Sequence, residues 1–263
     1  MPPIGLIALQ GIGVVVFVLI AWVLTQRRMG FPWSAIGWGA LSFPLSQIAR
    51  LAVITPLNVL WAQILSPGAA ATATVATMLI SSGLFEETTR WVVLRFWTKS
   101  TRAWREGVGF GLGHGGIEAI LIIAGTALTN AVLMMNSDAI VESVAKSGDP
   151  AAAGAIGQQI DTLKQLTFTD IGLSWYERVL AVVVHVAFTL IVLRAVRERR
   201  WQLWLLAVVA HIAFNAVVVV VGAPAGALAV YAIMTVVAAV ALWTVAFGPL
   251  SRRAVEGAGA RAR

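Results

Sequence analysis

The chain has 263 residues, of which 59% are hydrophobic and only 12% charged, with a formal net charge of +7; its mean hydropathy is +0.85. A soluble domain carries about 25% charged residues, so this chain cannot cover a water-facing surface, and a soluble enzyme is excluded. It contains no cysteine, which also excludes disulfides, thiol nucleophiles and thiolate metal sites.

A bilayer crossing requires about 20 apolar residues. Seven stretches meet that demand, at Ile4–Thr25, Ser34–Leu65, Thr72–Trp97, Gly107–Met135, Ile171–Leu193, Trp201–Val221 and Ala225–Phe247. The reading is an all-α polytopic membrane bundle, with residues 1–250 as one embedded domain. The first run has no basic segment ahead of it and reads as a retained span. The second holds Pro44 and Pro56 and is expected to kink or tilt.

Basic residues gather in alternate connections: Arg27 and Arg28, then Lys99, Arg102 and Arg105, then Arg194, Arg197, Arg199 and Arg200, then Arg252, Arg253, Arg261 and Arg263. By the positive-inside rule the N-terminus is outside, and residues 251–263 form a basic cytoplasmic tail. Topology thus accounts for the positive excess, and no nucleic-acid partner is expected. The expected surroundings are membrane lipid in a bacterial cytoplasmic membrane. The one long connection, residues 136–170, falls outside. It reads as two amphipathic helices, with Ser137 and Asp149–Pro150 as start signals and Gly148 as a stop. Ile156, Ile160, Leu163 and Leu166 recur at helical spacing, which suits a helix lying on the membrane surface; a lid over a cavity is the alternative.

Ionisable groups inside a bilayer cost about 2.5–3.5 kcal/mol or more each, so they need partners or a wet cavity. The third span holds Glu86, Glu87 and Arg90, the fourth His114 and Glu118, the fifth His185, and the sixth His211 with Asn215. All three histidines of the chain lie in spans. Counted from Trp97, Trp104, Arg194 and Trp201, residues Glu86, His114, His185 and His211 each lie roughly 14–17 Å from the cytoplasmic edge at 1.5 Å per residue. Four helices therefore bring an ionisable side chain to one layer near mid-membrane. His114 and Glu118 share a face, as do His211 and Asn215. Glu86 and Glu87 differ by about 100° around their helix, so one pairs with Arg90 while the other faces the cavity.

Two hydrolytic chemistries suit such a layer. A carboxylate can act as general base on water while imidazole and amide groups stabilise an oxyanion. Alternatively, histidine and glutamate can bind a divalent metal that acidifies its water. Buried polar pairs that merely lock the bundle are the structural alternative. The sequence has no His-Glu-x-x-His and no Gly-x-Ser-x-Gly. Gly111-Leu-Gly113-His114-Gly115-Gly116 matches a dinucleotide fingerprint only formally, because no strand precedes it. Glycines 107, 109, 111, 113, 115 and 116 are instead expected to permit close helix approach. Ser81-Ser82-Gly83 is read as helix contact, Glu177 and Arg178 as an interfacial anchor, and Arg50 has no partner legible in the sequence.

At these residues the chain resembles the superfamily of CAAX prenyl endopeptidases and bacteriocin-processing enzymes, whose pattern is Glu-Glu-x-x-x-Arg, Phe-x-x-x-His and His-x-x-x-Asn or Asp on separate helices. Glu86-Glu87-Thr88-Thr89-Arg90 resembles the first element, Phe110 to His114 the second, and His211 to Asn215 the third. The first departs by having two residues, not three, between Glu87 and Arg90. Within that group the chain looks most like YhfC-type intramembrane metalloproteases, through Phe85–Arg90, Gly113–Glu118 and the further histidine on the fifth span. The resemblance covers roughly Leu84 to Val218. It implies an intramembrane endopeptidase acting on a peptide or membrane-protein substrate, with Glu86 or Glu87 as base and Arg90 as structural partner. It implies that His114, His211 and Asn215 hold a metal or an oxyanion. His185 and Glu118 then complete a metal shell, with zinc the expected ion, or support it from outside. A proton-coupled transporter subunit and a non-catalytic partner-binding relative are the rival readings.

Overall fold

The structure is a computed structural model describing residues 3–98, 101–146 and 148–258. Lys99, Arg261 and Arg263, assigned above to a basic loop and the tail, lie outside the described residues. Among the described residues there are helices and no strand. They are α1 (Pro3–Met29), α2 (Trp33–Ile64), α3 (Pro67–Val92), α4 (Trp104–Ala119), α5 (Gly125–Met135), α6 (Ser137–Lys146), α7 (Pro150–Lys164), α8 (Phe168–Glu198), α9 (Trp201–Ala246) and α10 (Arg252–Ala258). Single π-helical turns, Val93–Trp97 and Ile120–Ala124, extend α3 and join α4 to α5.

Among the described residues, seven segments are long and apolar enough to cross a membrane: Pro3–Met29, Trp33–Ile64, Pro67–Trp97, Trp104–Met135, Phe168–Glu198, Trp201–Gly222 and Pro224–Ala246. These are the seven expected stretches, lengthened by a few residues at most ends. Pro44 and Pro56 lie inside α2, which stays helical through both. Proline is tolerated in a membrane helix where neighbouring groups satisfy the freed carbonyls. The last two spans form one helix across Pro224, with a break at Gly226, whose φ of 79° is left-handed and favours glycine.

The chain divides into two compact units. One comprises the first helix to Ala21 together with Glu118–Val179. Its core is Ile7, Ala127, Leu133, Ile160 and Leu163, with Ile140, Ile156 and Leu166 packed on it. The apolar stripe of α7 is therefore covered by its own unit. Asp149 caps α7 as its sequence signals, accepting the amides of Ala151 at 2.9 Å and Ala152 at 3.1 Å. Gly13 allows the Trp175 ring to lie directly on the backbone of α1. Trp175 Nε1 donates to the Gln10 carbonyl at 3.1 Å, and Gln10 Nε2 to Ser174 at 3.1 Å.

The second unit holds Trp22–Ile117 and the chain from Leu180 onward. Its core centres on α8, where Val184, Ala187, Phe188, Leu190, Val192 and Leu193 are buried. Helices α2 and α4 meet backbone to backbone: a side chain at Gly39 would strike the Phe110 carbonyl, and one at Gly113 the Ile36 carbonyl. Gly111 lies equally close to Val186 of α8, where an added Cβ would come within 2.7 Å of its Cα. The glycine-rich run thus provides close approach on two sides, as small residues do in membrane interfaces. The end of α3 is closed by Arg102, whose guanidinium donates to the carbonyls of Leu94 at 2.8 Å, Thr98 at 3.0 Å and Thr101 at 2.7 Å. A cation there satisfies carbonyls that have no helical partner.

Candidate active site

Helix α3 carries Glu86, Glu87 and Arg90, and the structure gives the two acids different partners. Glu87 is fully buried. Its Oε1 accepts from Arg90 Nη1 one turn on, and from His211 Nδ1 at 2.7 Å. Glu86 turns toward α2 and α4. Its Oε1 accepts from Gln47 Nε2 at 3.3 Å. Its Oε2 lies 3.1 Å from His114 Nε2, 3.8 Å from His211 Nε2 and 3.7 Å from Arg90 Nη2. Glu86 lies four residues before Arg90 and Glu87 three. In the fold Arg90 grips Glu87, three apart, because both point to the same flank of α3 as His211.

The layer is buried and closely stacked. Arg90, His114 and Glu87 are each 0% exposed, His211 1%, His185 2% and Glu86 4%. The His185 ring sits between the other two imidazoles, 5.5 Å from His114 and 5.1 Å from His211 between centroids. Phe188 stacks on His211 at 5.0 Å, and Phe43 meets His114 edge-on at 5.4 Å. Such packing fixes ring orientation.

Hydrogen-bond partners hold both outer rings at Nδ1. Ser42 Oγ, which lies 2.6 Å from the Gly39 carbonyl, is 2.7 Å from His114 Nδ1. His211 Nδ1 donates to the Glu87 carboxylate at 2.7 Å. Both rings turn Nε2 toward Glu86 Oε2, so two imidazole nitrogens and one carboxylate oxygen converge. That donor set, with each ring held at Nδ1 by a polar partner, fits a divalent metal. Glu86, His114 and His185 each offer a ligand-capable atom within 4.8 Å of the others. His185 differs in one respect, since its Nδ1 is engaged by Arg90 Nη2 at 2.7 Å.

Asn215, Glu118 and Arg50 also have polar partners of their own. Asn215, one turn beyond His211, donates Nδ2 to Ser82 Oγ at 2.9 Å. Glu118 belongs to the other unit, where its carboxylate lies 3.6 Å from Arg178, which also pairs with Glu177. Arg50, partnerless in the sequence, donates Nε to Ser81 Oγ at 2.9 Å, Nη1 to Gln47 Oε1 at 3.1 Å and Nη2 to the Met78 carbonyl at 2.8 Å. Because arginine can only donate, Arg50 turns the Gln47 carbonyl to itself and leaves the Gln47 amide group for Glu86. Sequence reasoning missed Ser42 and Gln47. Their signal was there: Ser42, Ser46, Gln47 and Arg50 form one polar stripe at helical spacing along an otherwise apolar α2.

Comparison with known proteins accords with this picture. The family described as YhfC intramembrane metalloprotease matches residues 11–240. The chain is similar to the uncharacterized membrane protein YhfC of Bacillus subtilis (strain 168), at 35% identity over 128 residues, 46% of this chain and 46% of that protein. The match thus spans about half the length of that relative. No solved structure matches. The family match runs through α2, α3, α4, α8 and α9, the helices that carry the buried layer, and the chain belongs to the YhfC intramembrane metalloprotease family.

Proposed function

We propose that this multi-pass membrane protein is an endopeptidase that hydrolyses a peptide bond of a membrane-associated substrate within its helix bundle, related in mechanism to the CAAX prenyl endopeptidase and bacteriocin-processing superfamily. The observation that carries the reading is the convergence of His114 Nε2 and His211 Nε2 on Glu86 Oε2. A divalent metal, zinc by the nature of the donors, would be held by His114 and His211 beside Glu86, and when bound it acidifies water and polarises a carbonyl.

The chain's own residues supply the rest. Glu86 takes a proton from the attacking water and returns it to the leaving amine. Gln47, set by Arg50, holds Glu86 Oε1 so that Oε2 stays turned to the two histidines. Glu87 orients His211 through Nδ1, and Arg90 balances the Glu87 charge. Ser42 performs the same orienting task for His114. Burial excludes bulk water, which strengthens each of these interactions.

The test is proteomic. Membranes containing the wild type or Glu86→Gln are incubated with a library of membrane-protein peptides, and new termini are read by mass spectrometry. Termini that appear with the wild type and are lost with Glu86→Gln are expected. Identical termini with both proteins would overturn the reading in favour of a proton-coupled transporter or a non-catalytic partner-binding protein.

A further inference from the structure

A cavity of about 330 Å³ lies wholly within the second unit, between α8 and the two halves of α9. Its α8 wall is one stripe at helical spacing: Val184, Phe188, Ile191 and Arg194. From Val184 to Arg194 the helix rises roughly 15 Å. That is half of a hydrocarbon core about 30 Å thick, the depth that one lipid chain spans in its leaflet. Phe188 divides the cavity from the buried layer, because its ring also stacks on His211 at 5.0 Å between centroids.

The walls specify an apolar guest. Arg194 and Thr244 are the only polar side chains among those that line the cavity, and the Thr244 hydroxyl donates to the Ala241 carbonyl at 2.7 Å. Water finds no partners along such walls. Leu206 of the sixth span and Val240 of the seventh also line the cavity, and they are 53% and 56% exposed. In a membrane span the exterior is lipid, so the mouth opens sideways to hydrocarbon. The polar end selects the headgroup. Arg194 Nε donates to Glu198 Oε1 at 2.6 Å, and Nη1 donates to the Pro249 carbonyl at 3.0 Å. Among the described residues Nη2 has no protein partner, and its hydrogens suit a phosphate oxygen. From Arg194 to Arg200 there are four arginines and one glutamate. Basic pockets between spans on the cytoplasmic side, to which the basic loops assign this end, hold anionic lipid headgroups. We propose that this cavity binds one fatty chain of an anionic phospholipid, with the lipid phosphate on Arg194. The site is separate from the candidate active site, and its occupancy does not depend on the peptidase reading.

The test uses the full chain, delipidated in detergent and titrated with dioleoyl phosphatidylglycerol or dioleoyl phosphatidylcholine. Bound lipid is counted by native mass spectrometry. One phosphatidylglycerol per chain is expected, held at least about fivefold more tightly than phosphatidylcholine, the preference that one arginine confers. Arg194→Gln should remove most of that preference. Dihexanoyl phosphatidylglycerol carries the same headgroup on chains too short to fill the cavity, and should bind at least about tenfold more weakly. Val240→Trp sets a ring in the mouth. Val236→Trp, at a residue of the same helix that is 63% exposed and does not line the cavity, is the matched control. Phosphatidylglycerol binding should be lost in the first and kept in the second. Both positions face lipid, so both variants should keep the wild-type melting temperature. Equal affinity for the two dioleoyl lipids would overturn the headgroup assignment. Equal binding by Val240→Trp and Val236→Trp would place the lipid elsewhere and refute the cavity. Tight binding of the short-chain lipid would reduce the site to a headgroup contact and refute the chain. If neither dioleoyl lipid binds, the proposal fails and the cavity is left to an apolar segment of a partner protein.

Discussion

Replacing Glu87 by Gln keeps the side chain's shape and leaves an oxygen for its two donors, Arg90 and His211. What it removes is a negative charge from a guanidinium that is 0% exposed. Breaking a buried ion pair by neutralising one partner costs about 3–5 kcal/mol. Glu86 Oε2, 3.7 Å from Arg90 Nη2, supplies part of the lost compensation and places the expected cost toward the lower end. At roughly 2–4 °C per kcal/mol for a chain of this size, Glu87→Gln should unfold about 6–12 °C earlier than the wild type. Glu86→Gln is the matched control. It keeps an acceptor for Gln47 and leaves the Arg90–Glu87 pair intact, so it should lose no more than about 1 kcal/mol, the worth of one hydrogen bond. Its turnover should instead fall about 10²–10⁴-fold, the contribution of a general base. Thermal unfolding in detergent can be followed by intrinsic fluorescence, since the chain has 11 tryptophans. If Glu86→Gln melts earlier and Glu87→Gln is unshifted, the division between a chemical and a structural glutamate is wrong.

Four further outcomes are expected. Gln47→Leu removes the donor to Glu86 Oε1 and should reduce turnover about 10–100-fold, the equivalent of 1.5–3 kcal/mol for a bond to a charged group, with a smaller change in melting temperature than Glu87→Gln. Gly113→Ala sets a methyl against the Ile36 carbonyl and within 2.9 Å of the Ala40 nitrogen, both backbone atoms that cannot rotate away. It should cost at least about 1–3 kcal/mol and reduce zinc binding at the adjacent His114. Gly125→Ala, where an added Cβ meets nothing within 4 Å, should melt at or above the wild-type temperature. Reporter domains fused between Arg102 and Arg105 should read cytoplasmic, and those fused within residues 136–170 should read external; the opposite result would invert the topology proposed from the basic loops.

The spans were legible in the sequence because hydropathy over about 20 residues is a local property that packing does not alter. Their ends moved by a few residues, and α2 carried its prolines without interruption. The membership of the buried layer was legible for a related reason. A helix rises by a fixed 1.5 Å per residue, so distance from a polar edge gives depth, and depth set Glu86, His114, His185 and His211 at one level. The glycine run on α4 announced close packing without naming the partner. Rotation about each helix axis was not legible, because only the neighbouring helices set it. Gly39 and Gly113 bring α2 against α4 and so place Ser42 on His114 Nδ1. The facing of α3 toward α9 gives Arg90 to Glu87 and leaves Glu86 to the histidines. Arg50 gained two of its three partners from α3, 28 and 31 residues away in sequence. The sequence determined which chemical groups share the buried layer; tertiary contact alone decided which of them pair, because a side chain's partner depends on the helix that packing sets against it.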